Sequence, residues 1–286
     1  MNLKTLPTGF LECTGGPQAP LVVLGLPFDG TCSFRPGCRF GPRALRDASW
    51  GLETYSPDLD RELPAGEIFD AGDLDLPLGN TARALEEIGQ AARDVRARGA
   101  RLLGLGGEHL VTYPLLQACL EDHPELTLLH FDAHADLRED YLGEPWSHAT
   151  VIRRCLDGLG WERVRQFGIR SGTRFEFAWM RKHRTRFPAD ADGVRRALEG
   201  TAGPLYVSVD LDVFDPSCVP GTGTPEPGGI PYGAFAECVQ EVAASGRPVV
   251  GADVVELSPP HDPSGISAVL AAKVARELLI LLGAHR

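Results

Sequence analysis

Short apolar segments alternate along this chain with segments of helical periodicity, and this alternation constrains the fold more than any other feature. Continuous apolar runs of this length are typical of strands that are buried on both faces. Strands separated by helices are joined by crossovers and therefore run parallel. The sequence thus predicts an α/β fold, a three-layer α/β/α sandwich with a mostly parallel central sheet. The predicted strands are residues 21–26, 67–72, 102–105, 126–131, 164–169, 205–209 and 249–255.

The segments between these runs predict helices, and two of them carry clear boundary signals. Pro42 lies where the first turn of a helix would begin, and Gly99 ends a segment with apolar residues at helical spacing among charges. Residues 175–200 have an ambiguous pattern, and no element is predicted there. The predicted helices are residues 43–50, 80–98, a segment after 109 that ends near 120, 147–157, 232–244 and 264–282.

Composition restricts the class of partner and the compartment. The net charge of -11 and the sequence pI near 5.2 argue against nucleic acid or an anionic membrane surface as partner. Residues 1–20 have no long apolar core like that of a signal peptide, and no window has the apolar length of a membrane helix. The seven cysteines are scattered without a CxxC pair, which is typical of reduced thiols. We therefore expect a cytoplasmic protein.

Three strong metal ligands occur at every second position shortly after the apolar run 126–129: Asp132, His134 and Asp136. In an extended chain, side chains two residues apart point the same way, so these three would share one face. A buried carboxylate must be paired or bound to a cation, and a divalent metal meets that need. The alternative is a solvated strand end with chance spacing.

Other predicted strands also end in residues that a structural loop rarely contains. Because the carboxyl ends of parallel strands meet at one edge, these residues are expected to converge there, which predicts one domain over residues 1–286. Two histidines and four aspartates carrying four negative charges are too many for one catalytic zinc, and they suit two divalent ions, Mn²⁺ above all. The predicted metal ligands are His109, Asp132, His134, Asp136, Asp210 and Asp212.

The chain resembles the ureohydrolase family of arginase and agmatinase, whose marks are GG(D/E)H, DAHxD, SxDxDxxDP and a late Glu before a Pro-containing loop. All four occur in order, and the resemblance covers residues 21–286. It implies the arginase-like fold, two Mn²⁺ ions per chain, and a homotrimer or homohexamer. By motif, one ion would be held by His109, Asp132, Asp136 and Asp210, and the other by Asp132, His134, Asp210 and Asp212.

The resemblance also implies catalytic roles. A hydroxide bridging the metals would attack the guanidinium carbon, and Asp136 would pass a proton to the leaving amine. Glu256 would grip the guanidinium through paired hydrogen bonds, although a strand-end salt bridge is the simpler alternative. His148 matches the position of a proton-shuttling histidine, whereas without the family it would be assigned to a helix cap or the surface. His130 is expected to support a ligand from behind or to pack in the core, and not to bind the metal itself.

The substrate must be inferred from the loops. Arg138 occupies the position where arginase-like members keep an asparagine, and residues 137–144 and 221–227 look like those of agmatinases. The sequence predicts a small cationic guanidino substrate, agmatine, hydrolysed to putrescine and urea. Aminopropylagmatine, arginine and guanidinobutyrate are alternatives. Extra acids near the mouth would suit an ammonium tail, or form a solvated rim; they are Glu139, Asp140, Glu144 and Glu226.

Two other classes of protein remain open on the sequence alone. A deacetylase on the related fold would hold one zinc, and a metal-binding protein would show no turnover. Two cysteines lie near the predicted site in sequence, Cys38 and Cys218, and both are expected to be free, buried thiols.

Overall fold

A central parallel sheet forms the middle of the molecule in the computed structural model, which describes residues 9–284. Eight strands lie in the order β4-β1-β5-β10-β9-β6-β7-β8, and every pairing between neighbours is parallel. Strands β2 and β3 form a separate antiparallel hairpin. The strands are β1 (Leu21–Leu26), β2 (Tyr55–Ser56), β3 (Arg61–Glu62), β4 (Ile68–Asp73), β5 (Arg101–Gly106), β6 (Thr127–Phe131), β7 (Val164–Phe167), β8 (Arg186–Phe187), β9 (Leu205–Asp210) and β10 (Val249–Val255).

Helices cover both faces of the sheet, which confirms the predicted three layers. Apolar side chains of α1, α6, α7 and α8 share one core with one face of the sheet, and those of α2, α3, α4 and α5 share a second core with the other. The helices are α1 (Gly41–Ser49), α2 (Thr81–Arg96), α3 (Thr112–Asp122), α4 (Val151–Leu159), α5 (Arg174–His183), α6 (Ala191–Leu198), α7 (Tyr232–Ala244) and α8 (Ile266–Gly283). Within residues 9–284, no helix has the length and apolar character needed to cross a membrane.

The structure differs from the sequence prediction in three places. All seven predicted strands are present, but the pattern did not show β8 or the hairpin of β2 and β3, which have only two residues per strand. Two residues are too few to display a periodicity of two. The unassigned segment 175–200 contains most of α5, then β8 and α6, and the helix predicted from residue 147 begins at Val151 after a 3-10 turn.

The topology brings the predicted motifs together. Strands β5, β6, β9 and β10 are far apart along the chain, but they are four consecutive neighbours at the centre of the sheet. Because all of them are parallel, their carboxyl ends open at the same edge, where ligands bind in open α/β sheets.

Candidate active site

The first half of the site is centred on the imidazole of His109, which follows β5. Its Nδ1 lies 3.0 Å from Oδ2 of Asp132, 3.3 Å from Oδ2 of Asp136 and 3.2 Å from Oδ2 of Asp210. All four side chains are buried. Three carboxylates thus approach one imidazole nitrogen from three directions.

The second half is built around Asp212. His134 Nδ1 lies 2.9 Å from Asp212 Oδ2 and 3.6 Å from Asp132 Oδ1. Donor atoms of Asp132, His134 and Asp212 lie within 4.8 Å of one another, and Asp132 also belongs to a second group of that kind with His109, His130 and Asp136. The structure therefore brings all six predicted ligands into one place, and we call them the ligand cluster.

The loop that carries three of these ligands is not a continuation of the strand. Strand β6 ends at Phe131, and Asp136 has a left-handed backbone with φ of 51°. His134 forms an isolated parallel bridge with Ser171. The expectation of simple strand alternation from Asp132 to Asp136 is therefore wrong. The loop gathers the side chains because hydrogen bonds from neighbouring segments shape its backbone.

The chemistry of the donors fits a metal ion. His109 Nε2 lies 2.9 Å from Ser208 Oγ, and Ser208 donates its proton to Asp253 Oδ1 at 2.7 Å. Because the Ser208 proton is used in the bond to Asp253, Ser208 can only accept a hydrogen bond from His109. His109 Nε2 therefore carries the ring hydrogen, and His109 Nδ1 keeps a lone pair. That Nδ1 is buried without a hydrogen-bond donor and is surrounded by carboxylate oxygens. Acceptors crowded in this way need a cation between them.

His130 stands behind the cluster. Thr185 donates its hydroxyl to Gln166 Oε1 at 2.9 Å, which directs the amide nitrogen of Gln166 towards His130 Nδ1 at 3.3 Å. The other ring nitrogen, Nε2, therefore carries the hydrogen and donates to Asp132 Oδ2 at 2.8 Å. His130 thus orients a carboxylate of the cluster from within the core, as expected from the sequence.

The cluster concentrates negative charge. Burial and the neighbouring Asp212 and Asp132 raise the pKa of Asp210 well above its usual range. Burial and Asp132 raise the pKa of Asp136 to about 7. Carboxylates packed this closely either bind protons or are balanced by cations.

Binding of a divalent metal ion is therefore expected to release protons. Below its pKa of about 7, the metal-free carboxyl of Asp136 is protonated, and the proton must leave before the group can hold a cation. Raising the pH from about 6 to about 8 removes this competing proton, so the apparent affinity for a divalent metal ion should rise. Titration calorimetry in two buffers of different ionisation enthalpy measures the released protons. Binding heats that do not depend on the buffer at the lower pH would contradict this expectation.

Glu256 follows β10 and is fixed on both oxygens. Oε1 accepts from the backbone N–H of His109 at 2.9 Å, and Oε2 accepts from the thiol of Cys38 at 3.0 Å. Burial raises the pKa of Glu256, while the Cys38 thiol works in the opposite direction. Its φ of 66° lies in the left-handed region, which costs a residue other than glycine about 1 to 3 kcal/mol and is typical of functional sites. Among residues 9–284, no basic side chain forms an ion pair with Glu256. The alternative role of Glu256 in a strand-end salt bridge is therefore not supported.

A cavity of about 270 Å³ opens onto the cluster and is lined by His109, His134, Asp136 and Asp210 together with Glu256. The other side chains in its wall that bear on chemistry are Arg138, Tyr141, His148, Glu176 and Thr224. The wall therefore has carboxylates, imidazoles and one guanidinium around a small, mostly polar space.

His148 lies in this wall. Its ring packs edge-on against Tyr141 with centroids 5.6 Å apart, and its Nε2 lies 3.3 Å from Ser33 Oγ. Burial, followed by the nearby charge of His134, lowers the pKa of His148 to about 4, so the ring is neutral near pH 7. The structure thus places His148 beside the ligand cluster. His148 is also the first residue of a 3-10 turn that is capped by Ser147, so its backbone does have the helix-start position considered as the alternative.

The four acids expected near the mouth do not line the cavity. Glu139 pairs with Arg153 at 2.8 Å and with Arg154 at 3.4 Å, and Asp140 accepts from the backbone of Gly143. These contacts favour the second interpretation of the acids, a polar rim. Besides Glu256 and the acids of the ligand cluster, one further carboxylate lines the cavity, that of Glu176, which accepts from the backbone N–H groups of Leu137 and Thr173 at 2.9 and 2.6 Å.

Sequence reasoning assigned no role to Glu176, Ser208 or Asp253. Glu176 is part of the pattern Thr-x-x-Glu, which correctly indicates a capping box at the start of α5 but says nothing about a cavity. Ser208 and Asp253 gave a clearer signal. Each is a polar residue inside a run that is buried on both faces, so it must have a hydrogen-bond partner in the core. Of the two cysteines expected to be buried, Cys38 is buried and Cys218 is half-buried, and all seven thiols are free.

The fold and the site define a class of protein. A parallel α/β sandwich with imidazole and carboxylate donors clustered at the carboxyl ends of its central strands is the architecture of a metal-dependent hydrolase.

Comparison with known proteins gives the family. The model of the arginase family matches residues 19–281. Agmatinase of Bacillus subtilis (strain 168) is 44% identical over 267 residues, or 92% of each chain. The mitochondrial guanidino acid hydrolase of Homo sapiens is 38% identical, covering 91% of this chain and 77% of that protein. The structure of proclavaminate amidino hydrolase from Streptomyces clavuligerus superposes with a TM-score of 0.89 at 31% identity, covering 99% of both chains. The chain belongs to the arginase family and is a ureohydrolase.

Proposed function

We propose that this protein hydrolyses agmatine to putrescine and urea with two Mn²⁺ ions per chain. The observation that carries the proposal is the placement of two buried carboxylates, Glu256 and Glu176, in the wall of one cavity that also opens onto the ligand cluster. Agmatine has a cationic guanidinium at one end and a cationic ammonium at the other. A cavity with one carboxylate for each end complements that charge pattern.

The ligand cluster would hold the ions that generate the nucleophile from water. Guanidinium is stabilised by resonance and is a poor electrophile, so its hydrolysis requires a strong nucleophile at neutral pH. A bound pair of divalent ions supplies it by lowering the pKa of water from about 15.7 towards about 7. The residues that would hold the ions are the six predicted by motif; among them, Asp132 and Asp210 each lie beside both His109 and the Asp212 side of the cluster.

Other residues of the chain position the substrate and move protons. Glu256 accepts two N–H bonds from the guanidinium and holds its carbon beside the cluster. After the hydroxide has added to the guanidinium carbon, Asp136 takes the proton that remains on the added hydroxyl group and gives it to the nitrogen that leaves. His148 exchanges a proton between the departing amine and bulk water at the cavity mouth. The carbon–nitrogen bond breaks to give urea and a primary amine.

A guanidino acid is the second candidate substrate, because one observation favours it. Arg138 lines the cavity, with its guanidinium 5.0 Å from the centre of the Tyr141 ring, and no carboxylate of the described chain pairs with it. A free cation in the wall would attract a carboxylate tail and repel an ammonium tail.

Steady-state kinetics with Mn²⁺ decides between the two. We expect kcat/KM for agmatine to exceed the values for guanidinobutyrate and arginine by at least about a hundredfold, and aminopropylagmatine tests the room for a longer tail. A preference for guanidinobutyrate would instead indicate that Arg138 binds the carboxylate tail of the substrate. No urea from any of these compounds, with Mn²⁺ bound, would refute the proposed activity.

Glu176→Gln is expected to raise KM for agmatine about tenfold with a smaller effect on kcat, because the neutral amide no longer balances the ammonium. The variant should not lower, and should slightly improve, kcat/KM for guanidinobutyrate. Glutamine can still accept from Leu137 through its amide oxygen, but its NH₂ group then faces the N–H of Thr173, so the melting temperature must be compared to measure the cost to folding. Equal losses on both substrates would show that Glu176 only supports the loop.

A further inference from the structure

Arg170 is a half-buried cation that the proposed mechanism does not use. Its guanidinium donates to main-chain oxygens of two other segments. In the turn after β9, it donates to the carbonyls of Asp212 at 2.7 Å and Val213 at 3.2 Å. In the loop that precedes α7, it donates to the carbonyls of Glu226 at 2.7 Å and Pro227 at 3.1 Å. One planar cation therefore joins the turn to the loop.

This loop, residues 221–227, has two further attachments. Near its beginning, Thr222 forms an isolated antiparallel bridge with Leu257, a residue that follows β10. Just beyond its end, the carboxylate of Asp215 accepts from the backbone N–H of Gly228 at 2.9 Å. Replacing the guanidinium should therefore let the loop shift without releasing it from the fold.

The middle of the loop touches the candidate active site. Thr224 lines the cavity and donates its hydroxyl to Asp212 Oδ2 at 3.2 Å. Gly223 lies beside Glu256, since a Cβ placed on this glycine would be 3.2 Å from Glu256 Oε2. The backbone of the loop therefore borders the carboxylate that is proposed to hold the guanidinium. A wall this close leaves room for a flat group but little room for an alkyl substituent on it.

We propose that Arg170 is a positioning residue that holds the backbone of Gly223 against Glu256, so that the site accepts an unsubstituted guanidinium and rejects one with an alkyl group on a terminal nitrogen. This inference rests on the proposed function, which assigns the guanidinium to Glu256. Arginine suits the role because it is always charged in proteins and its donors lie in one fixed plane. A lysine keeps the charge, but its single nitrogen cannot bind both segments in the same geometry. A purely structural clamp would affect stability but would not select between substrates.

The test compares agmatine with its analogue that is methylated on a terminal guanidinium nitrogen. Both compounds release putrescine, so the same product is measured for both. The wild type should prefer agmatine by at least about a hundredfold in kcat/KM. Arg170→Lys should reduce this preference to about tenfold or less, chiefly by raising KM for agmatine. Equal kcat/KM for the two compounds in the wild type, or an unchanged preference in Arg170→Lys, would overturn the proposal.

Gly223→Ala tests the wall directly. Gly223 does not have a positive φ, so its backbone conformation suits alanine, but the added methyl group narrows the space beside Glu256. We expect kcat/KM for agmatine to fall at least about tenfold. No loss for agmatine would show that this backbone does not border the guanidinium, which contradicts the proposal.

Hydrogen exchange gives a measurement without turnover. In the metal-free, full-length protein, Arg170→Lys should speed the exchange of backbone amides in residues 221–230 and leave those of β9 unchanged, because only the loop loses a carbonyl clamp. If exchange in the loop equals that of the wild type, Arg170 does not hold the loop and the proposal fails.

The matched control is Arg247→Lys. Arg247 is also half-buried and donates to main-chain oxygens, the carbonyls of Gly203 at 2.7 Å and Ala202 at 2.9 Å. These residues precede β9, so this clamp lies at the opposite edge of the sheet from the cavity. Arg247→Lys should lower the melting temperature but keep the wild-type preference for agmatine. A preference that falls as far as in Arg170→Lys would show that lost stability alone relaxes the choice, which contradicts the proposal.

Mn²⁺ content is compared for all variants, since Arg170 also bonds to the backbone of a proposed ligand. Loss of Mn²⁺ with an unchanged preference would make Arg170 a support for Asp212 and would contradict the proposal. If the wild type hydrolyses neither compound, the proposed function fails, whereas hydrogen exchange still decides whether Arg170 holds the loop.

Discussion

Asp136→Asn is expected to lower kcat about a thousandfold while making the metal-free protein more stable. The loss follows because asparagine cannot accept the proton that the proposed mechanism assigns to Asp136, and proton transfer by a placed side chain is worth about 10² to 10⁴ in rate. Asparagine has almost the same shape as aspartate and tolerates the left-handed φ of 51° at this position. The fold should therefore be retained.

The gain in stability follows from the sign of the pKa shift. Burial and Asp132 raise the pKa of Asp136 to about 7, so the folded, metal-free protein binds this proton more tightly than the unfolded chain does. The free energy of unfolding of the metal-free protein is therefore unaffected by this group below about pH 4, where the carboxyl is neutral in both states. It decreases as the pH rises from about 4 to about 7, because the unfolded chain ionises more easily than the folded protein. Asparagine does not ionise, so the variant does not lose stability in this way. At about pH 8 the metal-free variant should therefore melt a few degrees higher than the metal-free wild type.

Asp47→Asn is the matched control, because Asp47 is exposed on α1 and makes only a 3.8 Å contact with Arg43. It should leave kcat unchanged and leave the melting temperature within about a degree of the wild type. Urea release gives kcat, and calorimetric scans after chelation give the melting temperatures. A metal-free Asp136→Asn protein that melts lower than the wild type would show that the cluster does not carry the excess charge inferred for it.

Much of the fold could be predicted from the sequence because its determinants are local. The run 21–26 is apolar throughout and the run 249–255 is apolar apart from Asp253, and this pattern is typical of a strand buried on both faces. The ligand residues were visible for the same reason, since Asp210 and Asp212 end an apolar run where a loop would rarely place two acids. Parallel topology then brings the strand ends to one edge. Strand β8 was missed because Arg186 and Phe187 are too short a segment to show a pattern.

The arrangement within the site could not be predicted, since it depends on contacts between distant segments. Glu176 enters the cavity wall through α5, which lay in the region without a predicted element. Arg170 and Glu226 are 56 residues apart, and no local pattern relates them. The path of the loop through Asp136 likewise depends on neighbours, including a hydrogen bond from Ala135 N–H to the carbonyl of Ser171 at 3.2 Å. The sequence predicted which acids and imidazoles would meet at the strand ends, whereas the groups that orient them are seen only in the structure.

Glu256→Gln is expected to lower kcat/KM for agmatine at least about a hundredfold. Losing one partner of a buried, hydrogen-bonded charge pair costs about 3 kcal/mol or more, and each 1.4 kcal/mol is about tenfold. The amide oxygen of glutamine must occupy the Oε1 position to accept from His109 N–H, so its NH₂ group occupies the Oε2 position. There it faces the Cys38 thiol and the N–H groups of the guanidinium, which are donors like itself.

Two measurements separate this loss from indirect effects, because Glu256 touches a proposed metal ligand as well as the cavity. Mn²⁺ content should equal that of the wild type if the backbone bond to His109 is kept, and Glu86→Gln on the exposed face of α2 should leave kcat/KM unchanged. A loss below about tenfold would mean that the guanidinium does not bind Glu256. A large loss accompanied by loss of Mn²⁺ would instead assign the role of Glu256 to holding His109. With Mn²⁺ retained, the loss would identify this carboxylate as the group that holds the cationic end of the substrate beside the ligand cluster.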